Sequence, residues 1–153
     1  MLEIEKKYLV DRVPDNLEQY TSFSIVQAYI SKMPTIRIRQ KDSEYWLTVK
    51  ERGHISRQEF EMQISLEEFQ NLSEKIDGHS VKKTRYMIPL DGGLVAELDI
   101  FEERLQGLTT VEVEFSSESE CDQFIPPDWF GKDVSIDNYY KNSQLSTLDE
   151  YIG

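Results

Sequence analysis

Apolar and polar residues alternate with a period of two along most of the chain, and this is the signature of half-buried β-strands. The alternation predicts strands at Leu2–Val10, Ser22–Ser31, Thr35–Gln40, Tyr45–Glu51, Ser56–Ile64, Val81–Pro89, Leu94–Phe101 and Thr109–Phe115. The connections between them are mostly short and carry turn chemistry: Met33-Pro34, Lys41-Asp42-Ser43, Arg52-Gly53 and Asp91-Gly92-Gly93. Short links between alternating strands favour antiparallel hairpins.

Helices are fewer. Ser65 and Glu68 have the spacing of a capping box, and Leu66, Phe69, Leu72 and Ile76 follow as an apolar stripe that ends before Asp77-Gly78. A second helix is predicted over residues 117–124, stopped by Pro126-Pro127, and a third over 138–151. No linker, internal repeat or low-complexity tract interrupts the chain, so residues 1–153 read as one domain.

Side chains at i, i+2 and i+4 of a strand share one face, and sorting the strands this way separates charge from oil. Glu3, Glu5 and Lys7 share a face, as do Arg37 and Arg39. Lys50 lies with Thr48 and Trp46; Arg57, Glu59 and Glu61 lie with Gln63. Lys83 pairs with Arg85, Glu97 with Asp99 and Glu112 with Glu114. A wet sheet face is the plain explanation for one such strand. Two features oppose it for the whole set. Same-sign charges about 7 Å apart repel unless opposite charge sits between them. Four of the seven cations are arginine, whose planar fork suits phosphate.

Composition sharpens the point. The net charge is −12, which disfavours nucleic acid and anionic membranes as partners. These faces collect seven cations and eight anions, leaving 10 basic against 21 acidic residues elsewhere. If the sheet closes with the charged face inward, helices can cover the apolar outer face, the inverse of a small barrel packed with apolar side chains. Such an interior calls for a charged ligand. One cysteine, Cys121, leaves no internal disulfide and fits the cytoplasm. No stretch is long and apolar enough to span a bilayer, and Glu3 and Glu5 stand where a secretory signal would be apolar.

In chain order, Glu3-Ile4-Glu5-Lys6-Lys7, Arg37-Ile38-Arg39, Leu47-Thr48-Val49-Lys50, Arg57-Gln58-Glu59-Phe60-Glu61, Lys83-Thr84-Arg85-Tyr86, Glu97-Leu98-Asp99 and Glu112-Val113-Glu114 resemble the CYTH superfamily, the triphosphate tunnel metalloenzymes. The segment from Asp137 to Leu145 is similar to the family's C-terminal helix entry. The resemblance implies an α+β fold, a closed eight-stranded antiparallel β-barrel with helices outside, binding a triphosphate with Mg²⁺ or Mn²⁺. It implies metal ligands at Glu3, Glu5 and Glu114, with Glu112 and Glu61 close by. It implies phosphate contacts from Lys7, Arg37, Arg39, Lys50, Arg57, Lys83 and Arg85, supported by the acids Glu59, Glu97 and Asp99. Some small members of the family use a lysine–tyrosine pair near the attacking water, and Lys7 and Tyr29 fit those places.

The expected activity is therefore a metal-dependent triphosphatase acting on inorganic triphosphate, since so short a chain has little to grasp an organic group. Alternatives on the same fold are hydrolysis of thiamine triphosphate or nucleoside triphosphates and the class IV adenylate cyclase reaction. A non-catalytic polyphosphate or nucleotide binder is the alternative of a different class. His54 and His79 belong to no ligand cluster and are read as surface residues; Cys121, without a partner histidine, is read as a helix residue, and Trp129 and Phe130 as a packing anchor for the outer wall.

Overall fold

The computed structural model describes residues 2–151. Among the described residues nine strands form the body: β1 (Leu2–Val10), β2 (Thr21–Lys32), β3 (Thr35–Lys41), β4 (Glu44–Lys50), β5 (Ser56–Ile64), β6 (Asp77–Pro89), β7 (Val95–Phe101), β8 (Thr109–Glu114) and β9 (Phe130–Asp133). Their order is β5-β4-β3-β2-β6-β7-β8-β1, every neighbour antiparallel. Leu2, Glu3 and Ile4 of β1 pair with Gln58, Arg57 and Ser56 of β5 and so close eight strands into a barrel. β9 joins the same edge of β1 further along, at Tyr8 and Val10. The expected antiparallel barrel is thus present, with one short strand added.

The hydrophobic core lies outside the barrel. Ile4 and Tyr8 of β1, Ile88 of β6, Ala96 and Leu98 of β7 and Val111 and Val113 of β8 form one buried cluster, joined by Phe115, Cys121 and Phe130. Helix α2 (Glu118–Gln123), capped by the Ser117 side chain, and β9 cover it, and Phe130 packs against Tyr8 with ring centroids 5.0 Å apart. On the other side, α1 (Leu66–Ser73) lays Phe69 and Leu72 over Ala28, Ile38 and Ile64. Ser65 and Glu68 make both bonds of the predicted capping box. The helix leaves Phe60 and Met62 of β5 exposed. Among the described residues no helix is long and apolar enough to cross a membrane.

A third cluster closes one end of the barrel. Val81 and Phe101 share the face of the charged residues on β6 and β7. They meet Leu105, Leu108 and Leu145, the last from α3 (Asn142–Leu145). Gly78, at φ +87°, allows the backbone of Ser146 to come so close that a Cβ there would stand 2.8 Å from its carbonyl oxygen. His79 N donates to that same oxygen.

The structure corrects three expectations. β6 begins at Asp77, not Val81, because β2 pairs with it beyond Gln27–Val81, where the register shifts and Tyr29 meets Asp77. β9 was not expected; only four residues long, it shows too little alternation to read. The predicted helix over 138–151 is instead a 3-10 turn (Asn138–Tyr140) and the short α3, separated by extended Lys141 at φ −64°, ψ 135°.

An outward-facing core makes a discriminating prediction. Leu98 is fully buried on the outer face of β7. Leu98→Ala should therefore cost about 2–5 kcal/mol in denaturant unfolding, as at an interior site. A loss within ~0.5 kcal/mol, as expected of a surface position, would contradict this packing.

Candidate active site

The bore holds a cavity of about 600 Å³ lined by Glu3, Glu5, Lys7, Tyr29, Arg37, Arg39, Lys50, Arg57, Glu59, Glu61, Arg85, Glu97, Glu112 and Glu114, among others. Register explains this convergence. Glu5 stands opposite Glu114 and Lys7 opposite Glu112 across β1 and β8; Glu97 stands opposite Glu112 across β7 and β8. Arg37 faces Thr48 across β3 and β4, and Thr48 faces Glu61 across β4 and β5.

The cations are held in two different ways. Arg85 is wrapped in carboxylate: its Nε and Nη2 donate to the two oxygens of Asp99 at 2.8 and 2.9 Å, and Nη1 donates to Glu97 at 3.3 Å. Lys50 Nζ donates to both oxygens of Glu3 at 2.9 and 3.0 Å, and Arg57 Nε lies 3.5 Å from the same group. Arg37 and Arg39 have mostly neutral partners. Arg37 Nη2 donates to the Thr48 hydroxyl at 3.1 Å, with Glu61 farther off at 3.8 Å. Arg39 donates from Nε and Nη2 to Gln27 Oε1 at 2.9 and 2.7 Å. Burial, with Arg37 and Arg85 nearby, pulls Arg39 down to about 9.

The acids divide as well. Burial works against ionisation of Glu112, yet Lys7, Arg85 and Lys83 hold it well below the usual carboxylate range. Glu5 moves the other way: burial, then Glu112 and Glu3, push it well up. Burial with Glu3 and Glu97 raises Glu114, and burial with a hydrogen bond to Glu3 raises Glu59 to about 7. Among the described residues no three acid, imidazole or thiol groups form a ready-made cation cage. The donor set nevertheless fits a divalent cation. Mg²⁺ and Mn²⁺ take oxygen ligands, Glu5 and Glu114 crowd together as adjacent acids, and the buried Glu112 Oε1 has no hydrogen-bond partner among the described residues.

Residues from 134 to 143 cross one side of the cavity, which Val134, Ser135, Asp137, Tyr140, Lys141, Asn142 and Ser143 help to line. Lys7 Nζ donates to Tyr140 O at 2.8 Å, Lys141 Nζ to Gly53 O at 2.9 Å, and His54 bonds Asn138 Oδ1 at 2.8 Å. These bonds explain the broken helix. The Tyr140 carbonyl, which a continuous helix would use internally, is given to Lys7.

Lys83 and Asp99 depart from the expected wall. Both are completely buried, lie 2.7 Å apart and do not line the cavity, and Lys83 sits 5.3 Å from the Phe101 ring where the polar bore meets its apolar end. Lys83 lies behind the lining and meets the acid that grips Arg85. Lys41, by contrast, does line the cavity. It shares the parity of Arg37 and Arg39, and ending the predicted strand at Gln40 hid it. Tyr29, on β2, is buried at the wall, while His54 is an exposed rim residue.

The sequence that forms this closed antiparallel barrel with oppositely charged walls is matched over residues 1–125 by a family model described as the CYTH domain. The chain belongs to the CYTH domain family. It is 43% identical over 150 residues to a protein of Nitrosomonas europaea named inorganic triphosphatase, the match covering 95% of this chain and 97% of that one. It is 31% identical over 146 residues to a protein of the same name from Acetivibrio thermocellus, covering 94% and 92%. The crystal structure of an inorganic triphosphatase superposes with a TM-score of 0.71 at 38% identity, covering 97% of each chain.

The raised acids predict how stability depends on pH when divalent cations are chelated. Glu59 titrates near 7 in the folded chain against 4.5 when unfolded, and Glu5 and Glu114 shift in the same direction. Between these values the folded state binds more protons, so stability falls as pH rises from about 5 to 7. Urea midpoints should decrease across that range, and less steeply in Glu5→Gln. A midpoint that stays level or climbs would contradict the assignment.

Proposed function

We propose that the chain hydrolyses inorganic triphosphate to pyrophosphate and phosphate within this bore, with a divalent cation at its carboxylate-rich wall. The observation that carries the reading is the division of the cavity wall: guanidinium groups with neutral partners on β3, crowded carboxylates on β1 and β8. A linear polyanion with a cation satisfies both walls together. The two inorganic triphosphatases that match along nearly the whole chain support the same substrate.

Glu3, Glu5, Glu112 and Glu114 would hold the cation, with Glu61 nearby. When bound, Mg²⁺ or Mn²⁺ neutralises phosphate oxygens and polarises the bond to be broken. Arg37, Arg39, Lys50, Arg57 and Arg85 grip the phosphates, each charge-assisted bond contributing about 1.5–3 kcal/mol. Their value lies in meeting charge that builds on the leaving pyrophosphate. Lys83 serves this set from behind, through Asp99. Lys7 is fixed by Tyr140 O and lies 3.8 Å from Glu112, beside the acids where water would be oriented. Burial raises Tyr29, so the phenol keeps its proton and acts as a hydrogen-bond donor. One buried cysteine without a disulfide suits the cytoplasm as the setting.

Phosphate release from triphosphate, thiamine triphosphate and ATP, each with Mg²⁺ and with Mn²⁺, tests the reading. Triphosphate should be turned over at least tenfold faster than ATP, and ATP should yield no cyclic nucleotide. Tight triphosphate binding without phosphate release at any pH with either metal would make the chain a binder. Tyr29→Phe should lower kcat by about 10²-fold with little change in KM; unchanged turnover would remove Tyr29 from the mechanism.

A further inference from the structure

Gln27 belongs to none of the charged pairs, yet it is completely buried on β2 between Arg39 and Tyr29. Its geometry fixes its orientation. A guanidinium has no acceptor atoms, so the atom that receives both Arg39 bonds, at 2.9 and 2.7 Å, is the amide oxygen. The amide nitrogen then faces Tyr29 and donates to its hydroxyl oxygen at 3.4 Å. The Arg37 guanidinium, which offers no acceptor either, lies near the same hydroxyl. With donors on both of these sides, the Tyr29 hydroxyl hydrogen has neither as an acceptor and is free to point into the bore.

The comparison with Arg85 shows what a neutral partner achieves. Arg85 donates through the same two nitrogens, but to the two oxygens of Asp99, with Glu97 accepting a third bond, so its charge is largely matched before any ligand arrives. The Gln27 amide oxygen accepts both Arg39 bonds on one atom, which fixes the guanidinium and adds no negative charge. A carboxylate here would orient the guanidinium equally well and cancel it.

We propose that Gln27 is a positioning residue of the triphosphate site: it orients Arg39 without neutralising it, and it turns the Tyr29 hydroxyl hydrogen toward the substrate. The inference rests on the triphosphatase reading above and assigns a specific task to a residue that never touches the reacting atoms. It predicts an order that a merely structural role would reverse. Glutamate at this position keeps both bonds to Arg39 and loses the neutrality; methionine loses the bonds and leaves the charge.

The test is steady-state kinetics with triphosphate and saturating Mg²⁺ on the wild type, Gln27→Glu and Gln27→Met, with thermal unfolding to confirm that each variant folds. KM should rise at least tenfold in Gln27→Glu and less in Gln27→Met, while kcat falls in both because Tyr29 loses its donor. KM for Gln27→Glu equal to the wild type, or better than for Gln27→Met, overturns the inference. If Gln27→Glu does not fold, the cycle of Gln27→Met with Arg39→Met decides. The KM cost of Gln27→Met should vanish once Arg39 is removed, and an additive cost overturns the proposal. A wild type that releases no phosphate from triphosphate refutes the parent reading instead, before any variant is compared.

Discussion

Charge buried without a partner is the constraint around which this molecule is organised. Several charged side chains point into the barrel's cavity of about 600 Å³, where isolated ions would each lose several kcal/mol of hydration. Cross-strand register supplies the compensation. Asp99 meets Arg85 and Lys83, Glu3 meets Lys50 and Arg57, and Glu112 meets Lys7 and Arg85. The pairs of Asp99 with Arg85 and Lys83, of Glu3 with Arg57 and of Glu112 with Lys7 join neighbouring strands, whereas Glu3–Lys50 and Glu112–Arg85 reach one strand farther, past β5 and β7. What remains uncompensated is concentrated in two places, the guanidiniums of β3 and the acids Glu5 and Glu114. Those are the places where a ligand has most to offer.

This constraint also accounts for the outward core. Once the inner face carries ions, apolar residues of the same strands must face out, and they need cover. Helix α1, helix α2 and β9 provide it, which explains why a small barrel carries its helices and its aromatic cluster of Tyr8, Phe115, Phe124 and Phe130 outside the wall. The end of the bore is handled differently, by Val81, Phe101 and Leu145, beside which Lys83 is completely buried.

Much of this is legible in the alternation alone, because inward and outward are decided by parity, and parity survives errors in strand ends. Arg37, Arg39, Glu112 and Glu114 share the parity of an inner face and line the cavity for that reason. Depth along the bore was not legible. Lys83 and Arg85 have the same parity, but only the register with Asp99 and Phe101 shows that one is behind the wall and the other on it. Strand length was equally hidden, and Lys41 was lost with it. The segment after Asp133 was the least readable, since its shape depends on carbonyls captured by Lys7 and Lys141 from distant parts of the chain. Gln27 carries no charge, so sorting by charge passed over it.

The most direct measurement is a crystal structure of the protein with a non-hydrolysable triphosphate analogue and Mg²⁺. The account predicts three phosphates along the bore, gripped by Arg37, Arg39, Lys50, Arg57 and Arg85, with the cation among Glu3, Glu5, Glu112 and Glu114. An analogue bound on the outer surface, or a bore that stays closed to it while the chain hydrolyses triphosphate, would contradict it.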